Sequence, residues 1–256
     1  MATLTLIATP IGNLEDITLR AIRVLGSLPA LACEDTRVTQ RLLDRHGIAR
    51  PATVFSYHEH NEARAGRRIV ELLDAGTDVG LCSNAGYPGV SDPGYRAAAE
   101  AVEAGHRVEV VPGAGAVEPA LLASGLPTSS FTFKGFPPRK GGKRRSFLAA
   151  DAEAPHTLIL YESPYRLGKL LADALVVLGD RRAAVCLEIT KKFERVERGW
   201  LADLAAAFAD RTVKGEAVVV IAGRHEKFLR TEPGSAPPAA AEAEVPEDDG
   251  DTDDDA

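Results

Sequence analysis

Between residues 4 and 126 the chain keeps changing its hydrophobic period, and that alternation restricts the fold more than any other feature. The runs LTLIATP, ALACEDT, ATVFSYH, TDVGLCS and HRVEVVPG have the length and boundaries of buried strands. Between them lie IGNLEDITLRAIRVLGSL, RVTQRLLDRHGI, NEARAGRRIVELLDAG and GYRAAAEAVEAG, whose apolar residues recur three and four apart. Gly47 and Gly76 end two of these stretches, as a helix stop requires. AVEPALLASGLP closes the series as a helix. Strand and helix in this order predict βαβ units on a mostly parallel sheet.

The theme recurs less regularly in the second half. FTFKGF, HTLILYES, AAVCLEITK and KGEAVVVIAGR read as strands, and SPYRLGKLLADALVVLG and LADLAAAFADR as helices. The expectation is an α/β protein of two domains, residues 1–112 and 113–228, followed by a disordered acidic tail over 229–256. Residues 231–256 hold ten acidic groups and no Lys or Arg; without them 27 acids face 30 bases, so the formal charge of −7 misrepresents a slightly basic body. A segment so rich in Pro, Ala and acid cannot bury enough apolar surface to order itself. No apolar run approaches the ~20 residues of a membrane span. The N-terminus starts a strand at once, without the basic region and cleavage site of a signal peptide. Cys33, Cys82 and Cys186 are dispersed in apolar runs with no C-x-x-C, so they read as buried free thiols. A cytoplasmic protein without membrane attachment is expected.

In open α/β sheets ligands bind beyond the carboxyl ends of the strands. The loops there carry carboxylates, amides, imidazoles and glycines together. TPIGNL is not a dinucleotide fingerprint, and no Walker lysine is present. Glu34 and Asp35 fit general acid/base groups, a metal site or a helix cap. His58-Glu59-His60 looks metal-like but has no third ligand nearby, so no metal is expected. Residues 83–94, SNAGYPGVSDPG, combine three glycines with two prolines. Such a loop is rigid and lets backbone approach a ligand closely, and PGAGAV (112–117) adds a second, predicting a cofactor pocket. In FTFKGFPPRKGGKRRSF, Lys134, Arg139, Lys140, Lys143, Arg144 and Arg145 interleave with aromatics. They fit a nucleic-acid site on a mobile loop that orders on binding, against the plainer reading of a solvated basic loop.

TPIGNLEDITLRA, ACEDTR, HEHNE, AGYPGVSDPGY, GLP, KGF-P-RK, YESPYRL and EITKKFE, in this order, resemble the small-subunit ribosomal-RNA cytidine 2′-O-methyltransferases of the tetrapyrrole methylase superfamily. The likeness runs from about Leu4 to Gly223. It implies a class III S-adenosylmethionine methyltransferase fold, two α/β domains with the cofactor in the cleft between them, and a homodimer acting on small-subunit rRNA or the 30S subunit. It places cofactor contacts at Pro10, at Ser83, Asn84, Ala85, Gly86 and Val90, at Ala116 and Val117, at Tyr161, and at Gly215, Glu216 and Ala217. Glu34 and Asp35 would face the substrate. With Glu188 and Lys191 they are the groups that could activate a weakly nucleophilic ribose hydroxyl. The family pattern S-D-A-G-T-P is here Ser83-Asn84-Ala85-Gly86-Tyr87-Pro88, and the arginine of R-E-L-T-K is Leu187. Two other readings stay open: the same fold acting on a small tetrapyrrole-like acceptor, and a non-catalytic cofactor-binding assembly factor.

Overall fold

The computed structural model describes residues 2–211 and 213–230. The first sheet comprises β1 (Thr3–Ile7), β2 (Ala30–Cys33), β3 (Thr53–Ser56), β4 (Val79–Cys82) and β5 (Arg107–Val111). Its order is β3-β2-β4-β1-β5 and every pairing is parallel. The central strands β2 and β4 are buried throughout, which is why they read as unbroken apolar runs. The crossovers are α1 (Leu19–Ser27), α2 (Thr36–Arg45), α3 (Glu62–Asp74) and α4 (Tyr95–Glu103). Ala21 and Leu25 of α1 and Leu42 and Leu43 of α2 cover one face, and Ile69 and Leu73 of α3 with Ala97 and Ala101 of α4 the other. Local signals place the helices: Thr18 Oγ1 accepts the Ala21 N–H at 3.0 Å, and Gly47 and Gly76 adopt φ of +63° and +79° past the ends of α2 and α3.

The chain passes to a second sheet after Val111. There α5 (Val117–Ser124) packs Val117, Ala120 and Leu121 against Ile159, Ala184 and Val218. The second sheet comprises β6 (Phe131–Phe133), β7 (Thr157–Glu162), β8 (Arg182–Leu187), β9 (Arg195–Trp200) and β10 (Ala217–Ile221), in the order β6-β7-β10-β8-β9. Only β6 and β7 run parallel, so the expected parallel theme fails here. The loop from β8 to β9 is too short for a crossover, and a short connection reverses the chain. Helices α6 (Gly141–Ala149), α7 (Leu167–Leu178) and α8 (Leu201–Phe208) cover the face opposite α5.

Two elements went unread in the sequence. RVERGW forms the edge strand β9, whose exposed charges mask its period. GGKRRSFLA is not a mobile loop but α6, held by burial of Arg144 and Leu148, one turn apart. The tail boundary at 229 also needs correction. Leu229 bridges Arg181, and the Arg230 guanidinium meets Asp180 Oδ2 at 2.6 Å. The rest of the expected tail, 231–256, lies outside the described residues.

Candidate functional site

The carboxyl ends of β1, β2, β4 and β5 point toward the α5 face of the second sheet, and a cavity of about 750 Å³ lies between. Its floor is the 83–94 loop, which is tied down on several sides. Thr9 and Gly86 exchange two backbone hydrogen bonds of 2.9 Å. Thr9 Oγ1 donates to the Ser83 carbonyl at 3.2 Å, and Ser83 Oγ to the Ala85 carbonyl at 3.0 Å. The Asn84 N–H donates to Glu34 Oε2 at 2.9 Å. The Tyr87 hydroxyl accepts the Gly113 N–H at 3.0 Å and faces its carbonyl at 3.2 Å, clamping the two glycine-rich loops together.

The loop then pinches. The Gly89 N–H donates to the Pro93 carbonyl at 3.2 Å. A Cβ on Gly94, where φ is +149°, would sit 2.6 Å from the Gly89 nitrogen. Ser91 takes φ of +62°, unusual for a residue with a side chain, and its Oγ would lie 3.1 Å from a Cβ on Gly135 in the second domain. The pinch turns Asp92 into the cavity wall. Burial, and next the charge of Glu34, push its carboxyl up to about 6 against a hydrogen bond from Ser83, with Glu216 adding to the rise. In the sequence Asp92 stands between Ser91 and Pro93, where a turn would also place it, and nothing short of its neighbours' positions distinguishes the two roles.

The second domain supplies the opposite wall. Tyr161 meets Phe133 edge-on at 4.7 Å and Phe136 at 5.6 Å between ring centres. Burial, then Asp92 and Glu118, push the Tyr161 phenol up to about 12. Among the described residues, two that line the cavity hold buried acceptors with no partner, Asn84 Oδ1 and Glu162 Oε2. Of the expected cofactor contacts, Asn84, Ala85, Gly86 and Val90 line the cavity. So do Ala116, Val117, Tyr161, Gly215, Glu216 and Ala217. Pro10 and Ser83 do not; both are buried beneath it, and Ile11 reaches the wall where Pro10 was expected.

The four groups expected to activate the acceptor separate. Glu34 lines the cavity. Asp35 caps α2 instead, accepting the Arg37 N–H at 2.9 Å and meeting its guanidinium at 2.7 Å. That contact holds its carboxyl well below the usual range. Glu188 and Lys191 stand behind the wall. The Lys191 ammonium lies 2.9 Å from Glu188 Oε1 and 2.7 Å from Glu216 Oε2, and the lysine stem crosses Gly12, where a Cβ would collide with it. Partial burial opposes the charge on Lys191, but the two carboxylates outweigh it and raise its pKa. It is a strut between domains rather than an electrophilic neighbour of a hydroxyl.

The six expected nucleic-acid cations separate too. Arg144 is buried, with its Nε 2.8 Å from Asp173 Oδ2. Lys134 donates to the Phe147 carbonyl at 2.8 Å and pairs with Asp151. Both hold α6 in place, which corrects their assignment. Arg139, Lys140, Lys143 and Arg145 are exposed a few residues beyond Phe136. His58 and His60 open α3 through a turn in which Asn61 Oδ1 accepts the His58 N–H at 2.8 Å. No group of three metal ligands occurs among the described residues.

The cavity joins an aromatic wall, rigid backbone loops, the carboxylates Glu34, Asp92 and Glu216, and unfilled acceptors. This inventory fits a flat ligand that carries positive charge and hydrogen-bond donors. Residues 3–205 match the family model for tetrapyrrole (corrin/porphyrin) methylases. The chain is 50% identical over 220 residues to ribosomal RNA small subunit methyltransferase I of Mesorhizobium japonicum, covering 85% of this chain and 74% of that protein. It is 46% identical over 225 residues to the protein of the same name from Halalkalibacterium halodurans, covering 88% and 77%. Among solved structures, diphthine synthase is similar with a TM-score of 0.65 at 15% identity, covering 90% of this chain and 92% of that one. Uroporphyrin-III C-methyltransferase from Thermus thermophilus, complexed with S-adenosyl homocysteine, is similar with a TM-score of 0.58 at 21% identity, covering 86% and 97%.

Proposed function

The chain belongs to the tetrapyrrole methylase family, and from that premise we propose that it transfers a methyl group from S-adenosylmethionine to a ribose 2′-oxygen of a cytidine in the decoding region of small-subunit rRNA. The observation that carries this reading is the acceptor-lined cavity between two domains, in a chain half identical to a protein named for small-subunit rRNA methylation. When bound, S-adenosylmethionine supplies an electrophilic methyl on a positively charged sulfur. The backbone of Asn84–Gly86 and of Ala116–Val117 would hold it, with Asn84 Oδ1 as an unfilled acceptor and Glu34 and Glu216 complementing its charge. The chain's own work is to orient and desolvate the acceptor and take its proton.

Outside the cavity, the exposed cations Arg139, Lys140, Lys143 and Arg145 give a phosphate backbone a track beside Phe136. That track favours RNA over a small tetrapyrrole-like acceptor, which would need no such surface. The substrate is then the 30S subunit or its rRNA. The enzyme works as a homodimer in the cytoplasm, and no helix among the described residues is long and apolar enough to cross a membrane. The test is to map ribose methylation on small-subunit rRNA from cells with and without this protein. Loss of one cytidine methylation on deletion, restored by the purified protein in vitro, supports the reading. An unchanged map overturns it.

A further inference from the structure

We propose that Phe193 and Lys192, in the loop between β8 and β9, grip an RNA nucleotide flanking the methylated one, the ring stacking on its base and the ammonium meeting its phosphate; this rests on the ribose-methylation reading above. The sheet places that loop. Strands β6 and β7 end at the cavity, β10 begins there, and β8 ends there again. In the order β6-β7-β10-β8-β9 the ends of β6 and β8 are three strand spacings apart, roughly 14 Å. Beyond β6 come Phe136 and the exposed cations Arg139 and Lys140. Beyond β8 come Ile189, in the cavity wall, and then Lys192 and Phe193. An aromatic ring and a cation thus stand on each side of the cavity. A strand lying along the basic track reaches the second pair by crossing between them.

The loop is tightly built, and its construction leaves these two side chains outward. Glu188 and Thr190 take φ of +50° and +67°, unusual for residues with side chains. The Lys191 N–H donates to the Glu188 carbonyl at 2.9 Å, and the Glu194 N–H to the Lys191 carbonyl at 3.0 Å. Glu194 Oε2 accepts the Thr190 N–H at 2.7 Å. The acids here are therefore occupied, Glu194 by that N–H and Glu188 and Glu216 by Lys191. Lys192 is exposed with no ion pair among the described residues, its Nζ 5.7 Å from the Phe193 ring centre. Phe193 is 75% exposed. Leu19, Tyr95 and Val176 are as exposed, but each is a single side chain on a helix, which is ordinary. A ring presented by a constrained loop beside a cation has the chemistry of a nucleotide grip, since every base offers a π-face and every linkage a phosphate. Such a grip positions the substrate without reading its sequence.

The test compares the full chain with Phe193→Ala, Phe193→Leu, Phe193→Trp and Lys192→Ala, using 30S subunits that lack the modification. Phe193→Ala should raise KM for the subunit by ~10-fold or more. Its kcat should change less than about threefold, because the contact is made equally before and during transfer. S-adenosylhomocysteine binding by calorimetry and the melting curve should stay close to wild type, since the side chain packs against little. Phe193→Trp should restore KM. Phe193→Leu, which keeps apolar bulk without a π-face, should not. Lys192→Ala should lower the slope of log K against log salt for 30S binding by about 1. A wild-type KM in Phe193→Ala, or rescue by Leu equal to that by Trp, overturns the proposal and leaves the methyltransferase reading standing. So does an unchanged salt slope in Lys192→Ala. If Phe193→Ala instead converts a dimer to a monomer in sedimentation, the ring faces a second copy of this chain and the grip is refuted. Wild-type protein that labels no 30S RNA overturns the ribose-methylation reading, and the grip with it.

Discussion

Tyr87 replaces the small hydroxyl residue of the family pattern with a phenol, and the structure gives the phenol a use. Its hydroxyl accepts the Gly113 N–H at 3.0 Å, so the two cofactor-facing loops are joined by a side chain. Tyr87→Phe should cost about 1 kcal/mol of stability, read by chemical denaturation, and should weaken S-adenosylhomocysteine binding because the loops lose their register. At Gly94 the constraint is steric. Its φ of +149° and the 2.6 Å approach to Gly89 leave no room for a Cβ. Gly94→Ala should destabilise the chain by roughly 2 kcal/mol and shift the position of Asp92. The density of Gly and Pro over 83–94 was legible as a rigid ligand shelf. The withdrawn carboxylate was not, because an Asp before Pro reads as a turn wherever it lies, and Glu34 and Glu216 stand far from it in sequence.

At the scale of elements, α6 divides its cations by the face each one occupies. Arg144 turns inward to Asp173 on α7, while Lys143 turns out. Arg144→Ala leaves a poorly compensated buried carboxylate and should cost about 3 kcal/mol, with the salt dependence of rRNA binding unchanged. Replacing Arg139, Lys140 and Lys143 together with Ala should leave the melting curve nearly unchanged. It should reduce the slope of log K against log salt by roughly 2–3. The helix escaped sequence reading because two glycines open it and its stabilising partner lies on another helix. The strand β9 escaped because an edge strand needs only one apolar side and here carries charge on the other. By contrast, the strands and helices of the first sheet announced themselves, since strands covered on both faces must be continuously apolar.

For the whole molecule the cavity exists only because two sheets meet. Gly12 lies against Lys191, Ser91 against Gly135, and loops from both domains supply carboxylates to one volume. A ligand held by both walls must stabilise both. S-adenosylhomocysteine at a hundredfold excess over its Kd should raise the unfolding free energy by about 2.7 kcal/mol, seen as a single shifted melting transition. Two separate transitions, with only one shifted, would contradict a shared site. The sequence by itself determined the alternating α/β architecture of the first sheet, the glycine-rich loops at its strand ends and the family resemblance, because hydrophobic period and backbone permissiveness are local properties of the chain. Only the tertiary structure decided which charges are available. Arg144 and Lys191 are consumed by partners that folding brings beside them. Asp92 lies in the cavity wall with no ion pair among the described residues, because burial and neighbouring charge are set by where distant segments meet.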